Sequence, residues 1–144
     1  MIPNTLREIL DELKKLPDQD ARADYLIDLA SSFKEVDPKI ATRPFSKSNQ
    51  IPACESDAYV WVTKDPSGYP KFHFAVENPQ GISAKALAVI IDQGLSGVDP
   101  KQLAQVSDEF VYEIFGSGLS MGKGIGLKSM IGMCKSLAVG LGSN

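Results

Sequence analysis

Few side chains in this sequence can act as nucleophiles or metal ligands at neutral pH. There are two cysteines, Cys54 and Cys134, and one histidine, His73. A thiol reacts as its thiolate, so what matters for each cysteine is whether its surroundings expose it and supply charge. The two cysteines lie too far apart in sequence for a close-spaced zinc motif. An iron–sulfur cluster wants about four thiolate or imidazole ligands, which this chain does not supply as a monomer. In a reducing compartment a structural disulfide is not expected either. A metal site would have to recruit carboxylates, and any special chemistry is expected to fall to a single thiol.

The two cysteines stand in different settings. Cys134 belongs to the series Leu127, Met130, Ile131, Cys134, Leu137, Ala138 and Leu141, spaced by three and four residues. That is the apolar stripe of a long amphipathic helix, where a cysteine serves as a small hydrophobe. Cys54 has no such periodicity around it. It sits in Asn49-Gln50-Ile51-Pro52-Ala53-Cys54-Glu55-Ser56, between a Pro-containing stretch and the first clear strand. Irregular segments run over surfaces and often carry function, yet a loop cysteine can equally be buried and inert at a strand start. From context alone both readings stand. Glu55 and Asp57 oppose negative charge on Cys54 unless Arg43, Lys47 or Lys123 folds back beside it. His73, alone on a strand, reads as a surface residue rather than a catalytic base.

The string Gly122-Lys123-Gly124-Ile125-Gly126 has the look of a phosphate cradle before a helix. It is not a P-loop, because Leu127 separates Gly126 from Lys128-Ser129 and no clear strand precedes it. The preferred reading is that these glycines let a loop, Ser117–Gly124, pass close to the Cys54 loop, with the following helix start adding partial positive charge.

A scaffold must bring these groups together. Thr5 and Glu8 have capping-box spacing, and Leu6, Ile9, Leu10 and Leu13 follow at helical intervals. A second helix runs from about Asp20 with Tyr25, Leu26, Leu29 and Phe33 on one face. Residues 34–57 lose this periodicity and carry Pro38, Pro44 and Pro52, so they read as extended loop with a short strand near 48–52. Ala58–Thr63 and Lys71–Val76, joined by the turn Asp65-Pro66-Ser67-Gly68, form a β-hairpin. Phe72, Phe74 and Val76 are expected in the core with Trp61, and His73 on the opposite face. Ser83 can cap a helix reaching about Gln93, Asp99-Pro100 opens a short one, and Phe110–Phe115 adds a turn or two. The expected architecture is one α+β domain over residues 1–144, a small antiparallel sheet of about three strands packed against helices.

Composition narrows the function. A hydrophobic share of 43% with 23% charged residues is that of a globular domain rather than a disordered chain. The formal net charge of −3, with no basic run longer than Lys14-Lys15, argues against a nucleic-acid partner. No apolar stretch is read as a bilayer span and no signal peptide is read at the N-terminus, so a cytoplasmic chain without membrane contact is expected.

The Cys54 string resembles the SufE family of cysteine desulfuration proteins. In that family an Asn, a gap and an apolar residue precede Gly-Cys-x-Ser and a strand with Val-Trp. Asn49, Ile51, Cys54, Ser56 and Ala58-Tyr59-Val60-Trp61 stand in that arrangement here. The likeness extends to Lys85-Ala86-Leu87, Asp99-Pro100, Gly126-Leu127-Lys128-Ser129-Met130 and the N-terminal helix pair, which together cover essentially the whole chain. Three positions depart from the pattern. Ala53 replaces the Gly before the cysteine, Lys123 stands where an Arg is usual, and Tyr59 occupies the Trp position with Trp61 two residues later.

The resemblance implies a fold kin to the NifU-type scaffold domain, no cofactor, and a state of monomer or weak homodimer. It also implies a sulfur carrier with a catalytic cysteine rather than a stand-alone enzyme. Cys54 would take persulfide sulfur from a pyridoxal-phosphate-dependent cysteine desulfurase of the SufS type, stimulate it, and pass the sulfur towards an iron–sulfur scaffold. Ala53, Glu55, Ser56, Lys123 and Gly124 are the expected partner contacts. The competing reading is a thiol-based redox enzyme or sensor with Cys134 as resolving thiol, which requires the two cysteines to approach within disulfide range.

Overall fold

The computed structural model describes residues 2–116 and 118–142; Ser117, the first residue of the loop expected beside Cys54, lies outside them. The chain forms one small α+β domain. In order come α1 (Asn4–Lys14), α2 (Gln19–Ser31), a 3-10 turn (Lys47–Asn49), β1 (Ala58–Lys64), β2 (Pro70–Val76), α3 (Ile82–Leu95), α4 (Pro100–Ala104), α5 (Phe110–Phe115) and α6 (Met121–Gly142).

Helix α3 is the centre of the core. Nine of its residues, from Ala84 to Leu95, are buried, because α1 and α2 cover one side and β2 and α6 the others. Leu6, Leu10 and Leu13 of α1, one turn apart, pack into it. The Thr5–Glu8 capping box does not form: Pro3 holds the cap position, and Thr5 Oγ1 donates to the Gly94 carbonyl at 2.6 Å. Gly94 allows that crossing, since a Cβ there would stand 3.0 Å from Leu6 Cα. Asp18 caps α2, its carboxylate accepting from Ala21 N–H at 2.9 Å. Gly81, rather than Ser83, precedes α3. Asp99 caps α4 by accepting from Lys101 N–H at 2.8 Å, with Pro100 first in the helix as its sequence predicts.

The hairpin follows its alternation. Val60 pairs with Phe74 and Val62 with Phe72, and this face packs on α3 and α6. Phe72, Phe74 and Val76 are buried. His73 pairs with Trp61 on the outer face, where its Nε2 lies 2.8 Å from Thr63 Oγ1. Trp61 is therefore half-buried outside the core, with Phe45 edge-on at 5.1 Å and Tyr59 stacked beside it at 6.2 Å.

Two further expectations need correction. Among the described residues the sheet has two strands, and the third strand near 48–52 reduces to a single bridge between Gln50 and Tyr59. Ser46 folds the preceding residues into a 3-10 turn by accepting from Ser48 N–H, and Pro52 has no N–H to extend a ladder. The second correction is at α6, which starts at Met121 and takes in residues read as loop. Ser120 starts it, its hydroxyl accepting from Lys123 N–H at 3.3 Å and its carbonyl from Gly124 N–H at 2.9 Å. Each helical glycine costs about 1 kcal/mol relative to alanine, which is why this stretch reads as loop. The close packing described below is what its helical form permits.

Helix α6 also differs from the expected lack of a span: over Met121–Leu141, with mean hydropathy 1.2, it is long and apolar enough to cross a membrane. Its stripe of Leu127, Met130, Ile131, Cys134 and Ala138 is buried in this domain, against β1 and α4.

Candidate functional site

Cys54 lies on an irregular segment pinned at both ends. On entry, Asn49 Nδ2 donates to the Val60 carbonyl at 2.9 Å and Ile51 N–H to the Ala58 carbonyl at 2.8 Å. On exit, Asn78 N–H donates to the Ser56 carbonyl and Glu77 N–H to the Asp57 carbonyl, both at 3.1 Å. Between them Asp57 N–H reaches back to the Cys54 carbonyl at 3.3 Å, closing a tight turn. The buried Ile51 anchors the segment in the core.

The turn needs left-handed backbone on both sides of the cysteine. Ala53 has φ 59° and Asp57 φ 50°. Aspartate visits this region readily, whereas a Cβ-bearing residue such as alanine pays about 1–2 kcal/mol. Ala53 thus takes the conformation that a glycine would adopt freely, and the loop keeps its shape at a local cost.

Helix α6 supports the turn from below. A Cβ on Gly126 would stand 2.7 Å from the Ala53 carbonyl oxygen and 3.4 Å from Cys54 Cα. One turn earlier, a Cβ on Gly122 would meet Glu55 Oε1 at 3.8 Å. The close approach is made at Gly126, and by a helix rather than the expected loop; at Gly122 a Cβ would make an ordinary contact.

Cys54 is half-buried and opens on a pocket of about 190 Å³. Cys54 and Ser56 form one wall, Ile82, Ser83 and Ala84 of α3 the second, and Gly122, Lys123 and Leu127 of α6 the third. Ala84 and Leu127 are buried and give the pocket an apolar floor. Two helix N-termini, whose first amides lack intrahelical acceptors and carry partial positive charge, meet at this pocket. Glu55 and Lys123 are the charged residues lining it.

Of the three cations considered for Cys54, Lys123 alone lines the pocket. Arg43 is engaged by Glu35 and Glu77, with its Nε 2.9 Å from Glu77 Oε1, and its hydrogen bonds hold the Glu35 carboxyl below its usual range. Lys47 sits in the 3-10 turn. Ala53, Glu55, Ser56 and Lys123 all line the pocket, whereas Gly124 does not. Gly124 is buried and faces α5, where a Cβ would lie 3.5 Å from the Tyr112 hydroxyl. The start of α3 is the wall that sequence reasoning missed. Its only local signal is the turn Asn78-Pro79-Gln80-Gly81, in which Asn78 Oδ1 accepts from Gln80 N–H at 2.9 Å. Gly81 also has a packing role, because a Cβ there would meet Ser56 Oγ at 2.8 Å.

Cys134 is 1% exposed, and burial pushes its thiol well above its ordinary range. It cannot present a thiolate without local unfolding, which counts against a resolving role. A larger groove of about 490 Å³ lies between residues 32–37, β2 and α3. It holds His73 and the Lys71–Asp92 ion pair but no thiol. Burial is the main cause holding His73 below its ordinary value, with Lys71 adding to it. The smaller pocket, not the larger groove, has the nucleophile.

The sequence matches the model of the SufE family, described as an Fe-S metabolism associated domain, over residues 7–138. Among solved structures, the solution structure of a hypothetical protein from Thermus thermophilus superposes with a TM-score of 0.77. The match covers 100% of both chains at 20% identity, a likeness of fold. No curated protein sequence matches this chain.

Proposed function

The chain belongs to the SufE family, and from that premise we propose that it is a sulfur acceptor whose nucleophile is Cys54. It takes persulfide sulfur from a pyridoxal-phosphate-dependent cysteine desulfurase of the SufS type, stimulates that enzyme, and relays the sulfur towards an iron–sulfur cluster scaffold in the cytoplasm. The observation that supports this reading is a single half-buried thiol, on a pinned turn, opening on a small pocket with an apolar floor.

The Cys54 thiolate attacks the outer sulfur of the donor's cysteine persulfide. A sulfur–sulfur bond forms at Cys54 as the donor's sulfur–sulfur bond breaks, and the electron pair leaves on the donor's own cysteine. The outer sulfur keeps its oxidation level, so no oxidant is consumed. The protein supplies a positioned nucleophile and a recess that slows attack on the persulfide by small thiols. Ala53, Glu55, Ser56 and Lys123 form the mouth that the donor meets, whereas Gly124, buried against α5, is left out of it. Lys123 acts as a point charge where an Arg would offer a planar fork.

Incubation with a desulfurase and L-cysteine is expected to add the mass of one sulfur to the intact protein, removed again by reductant. A chain that gains no sulfur under these conditions is not an acceptor.

A further inference from the structure

Among the described residues β2 pairs with β1 alone, and its outer edge is only partly satisfied. Ile51 N–H and Asn49 Nδ2 bond to the carbonyls of Ala58 and Val60 from the side away from β2. Ala58, Val60 and Val62 therefore form the non-hydrogen-bonded pairs of the hairpin, and their partners Val76, Phe74 and Phe72 turn their backbone groups outward. Phe72 N–H donates to Ser96 Oγ at 3.1 Å, and Phe74 C=O accepts from Val36 N–H at 2.8 Å. Among the described residues, none bonds to the Phe72 carbonyl or to the Phe74 N–H. Both residues line the groove of about 490 Å³ between residues 32–37 and α3. Their side chains are in the core, so it is their backbone that meets the groove. Buried backbone groups are almost always paired, and this ledge marks a place for a partner.

The two groups define a register. In parallel pairing, one residue of an added strand donates its N–H to the carbonyl before the residue it faces and accepts from the N–H after it. Phe72 C=O and Phe74 N–H are that pair for a residue facing His73. An antiparallel strand would also need Phe72 N–H and Phe74 C=O, which Ser96 and Val36 hold. The residue facing His73 shares its side of the sheet, where Lys71, Asp92 and Asp37 are the charges that act on the ring. Lys71 and Asp92 pair with each other, which leaves the Asp37 carboxylate to attract a cation. The residues before and after it turn inward, towards the buried Ala88 and Val89 of α3 that line the groove. We propose that this groove binds an extended segment of a partner protein as a parallel strand on β2, with Lys or Arg facing His73 and an apolar residue on either side. Main-chain bonds to a sheet edge supply the affinity, and the alternate side chains supply the specificity. The groove shares no lining residue with the Cys54 pocket, so the segment tethers a second protein while the thiol stays free.

Binding is read without any sulfur chemistry, so the site stands or falls apart from the acceptor role. The isotope-labelled protein is titrated with the capped peptide threonine-valine-arginine-valine-threonine and followed by amide NMR. The Phe74 amide is expected to shift and its hydrogen exchange to slow by about tenfold or more at saturation, with Cys54 and Ser56 unmoved. A peptide N-methylated at the central arginine cannot donate to the Phe72 carbonyl and is expected to bind about tenfold more weakly. Asp37→Lys, at an exposed position, is expected to weaken binding severalfold and to leave the rest of the amide spectrum in place. No shift at Phe74 with the peptide at millimolar concentration overturns the proposal. So does equal affinity for the N-methylated peptide, or a set of shifts centred on Cys54. Shifts at Phe74 that grow with protein concentration in the absence of peptide would assign the edge to a second copy of this chain, and would overturn it as well.

Discussion

The molecule holds its two cysteines in opposite ways. Cys134 is fixed by regular structure, on the buried stripe of α6 with Met130, Ile131 and Ala138 as companions. Cys54 is fixed by irregular backbone that is nonetheless fully anchored, with Ile51, Ser56 and Asp57 bonded to β1 and to the residues after β2. The core removes a thiol from chemistry by desolvating its charged form, as the raised Cys134 thiol records. The loop keeps a thiol available by placing left-handed residues on either side of it. Exposure and firm positioning are compatible here because the ordering comes from backbone bonds and one close helix contact rather than from burial.

The largest expected effect is in thiol reactivity. Iodoacetamide should modify Cys54 in the native protein, more slowly than in denaturant because the thiol is half-buried. Cys134 should react only through unfolding, slower by a factor on the order of a thousand or more. Peptide mapping after timed alkylation reads both rates. Comparable native rates would erase the contrast between the two sites.

The next effect falls on the contact between α6 and the Cys54 turn. Gly126→Val would drive its side chain into the Ala53 carbonyl, against which even a Cβ would stand 2.7 Å away. Overpacking of this kind costs about 1–3 kcal/mol, read from denaturant midpoints. The variant should also alkylate faster at Cys54 as the turn lifts, with Cys134 unaffected. A neutral Gly126→Val would mean that the turn does not depend on α6.

Much of this contrast is legible in the residues themselves. The three- and four-residue spacing around Cys134 predicts its burial, and the lack of any such spacing around Cys54, with Pro52 beside it, predicts a loop. The alternation of Phe72, Phe74 and Val76 places the core face of the hairpin. What the sequence conceals is tertiary. Gly122, Gly124 and Gly126 read as loop by propensity, yet all three lie in α6, and the missing side chain of Gly126 lets that helix reach the Cys54 turn. Thr5 reads as a cap but bonds to α3. The α3 wall of the pocket has no local signature, because it depends on where the chain returns after the hairpin. Trp61 follows its strand alternation to the outer face, against the expectation set by its size.

A smaller effect should appear at Ala53. Ala53→Gly relieves the left-handed strain and is expected to stabilise the fold by up to about 1 kcal/mol, less the added freedom of glycine in the unfolded chain. Thermal and denaturant midpoints test this. A clear loss of stability would show that the alanine side chain contributes packing that outweighs its backbone cost.

The smallest expected effect separates both thiols from the histidine on the outer face of β2. His73 is held below its ordinary value of 6.5, so the unfolded chain binds more protons than the native one as pH falls below that value. Its contribution to stability is full above the unfolded value and is lost as pH falls through the folded one. His73→Gln should flatten this part of the stability profile without changing sulfur loading at neutral pH. A slope unchanged by the substitution would assign it to other groups.

The sulfur-acceptor assignment rests on Cys54 alone, and the most direct measurement is where sulfur resides after reaction with a desulfurase and L-cysteine. Intact mass and peptide mapping of wild type, Cys54→Ser and Cys134→Ala decide it. The expected result is a reductant-sensitive sulfur on wild type and on Cys134→Ala, at the peptide containing Cys54, with none on Cys54→Ser. A Cys54→Ser protein that still carries the persulfide would contradict the assignment.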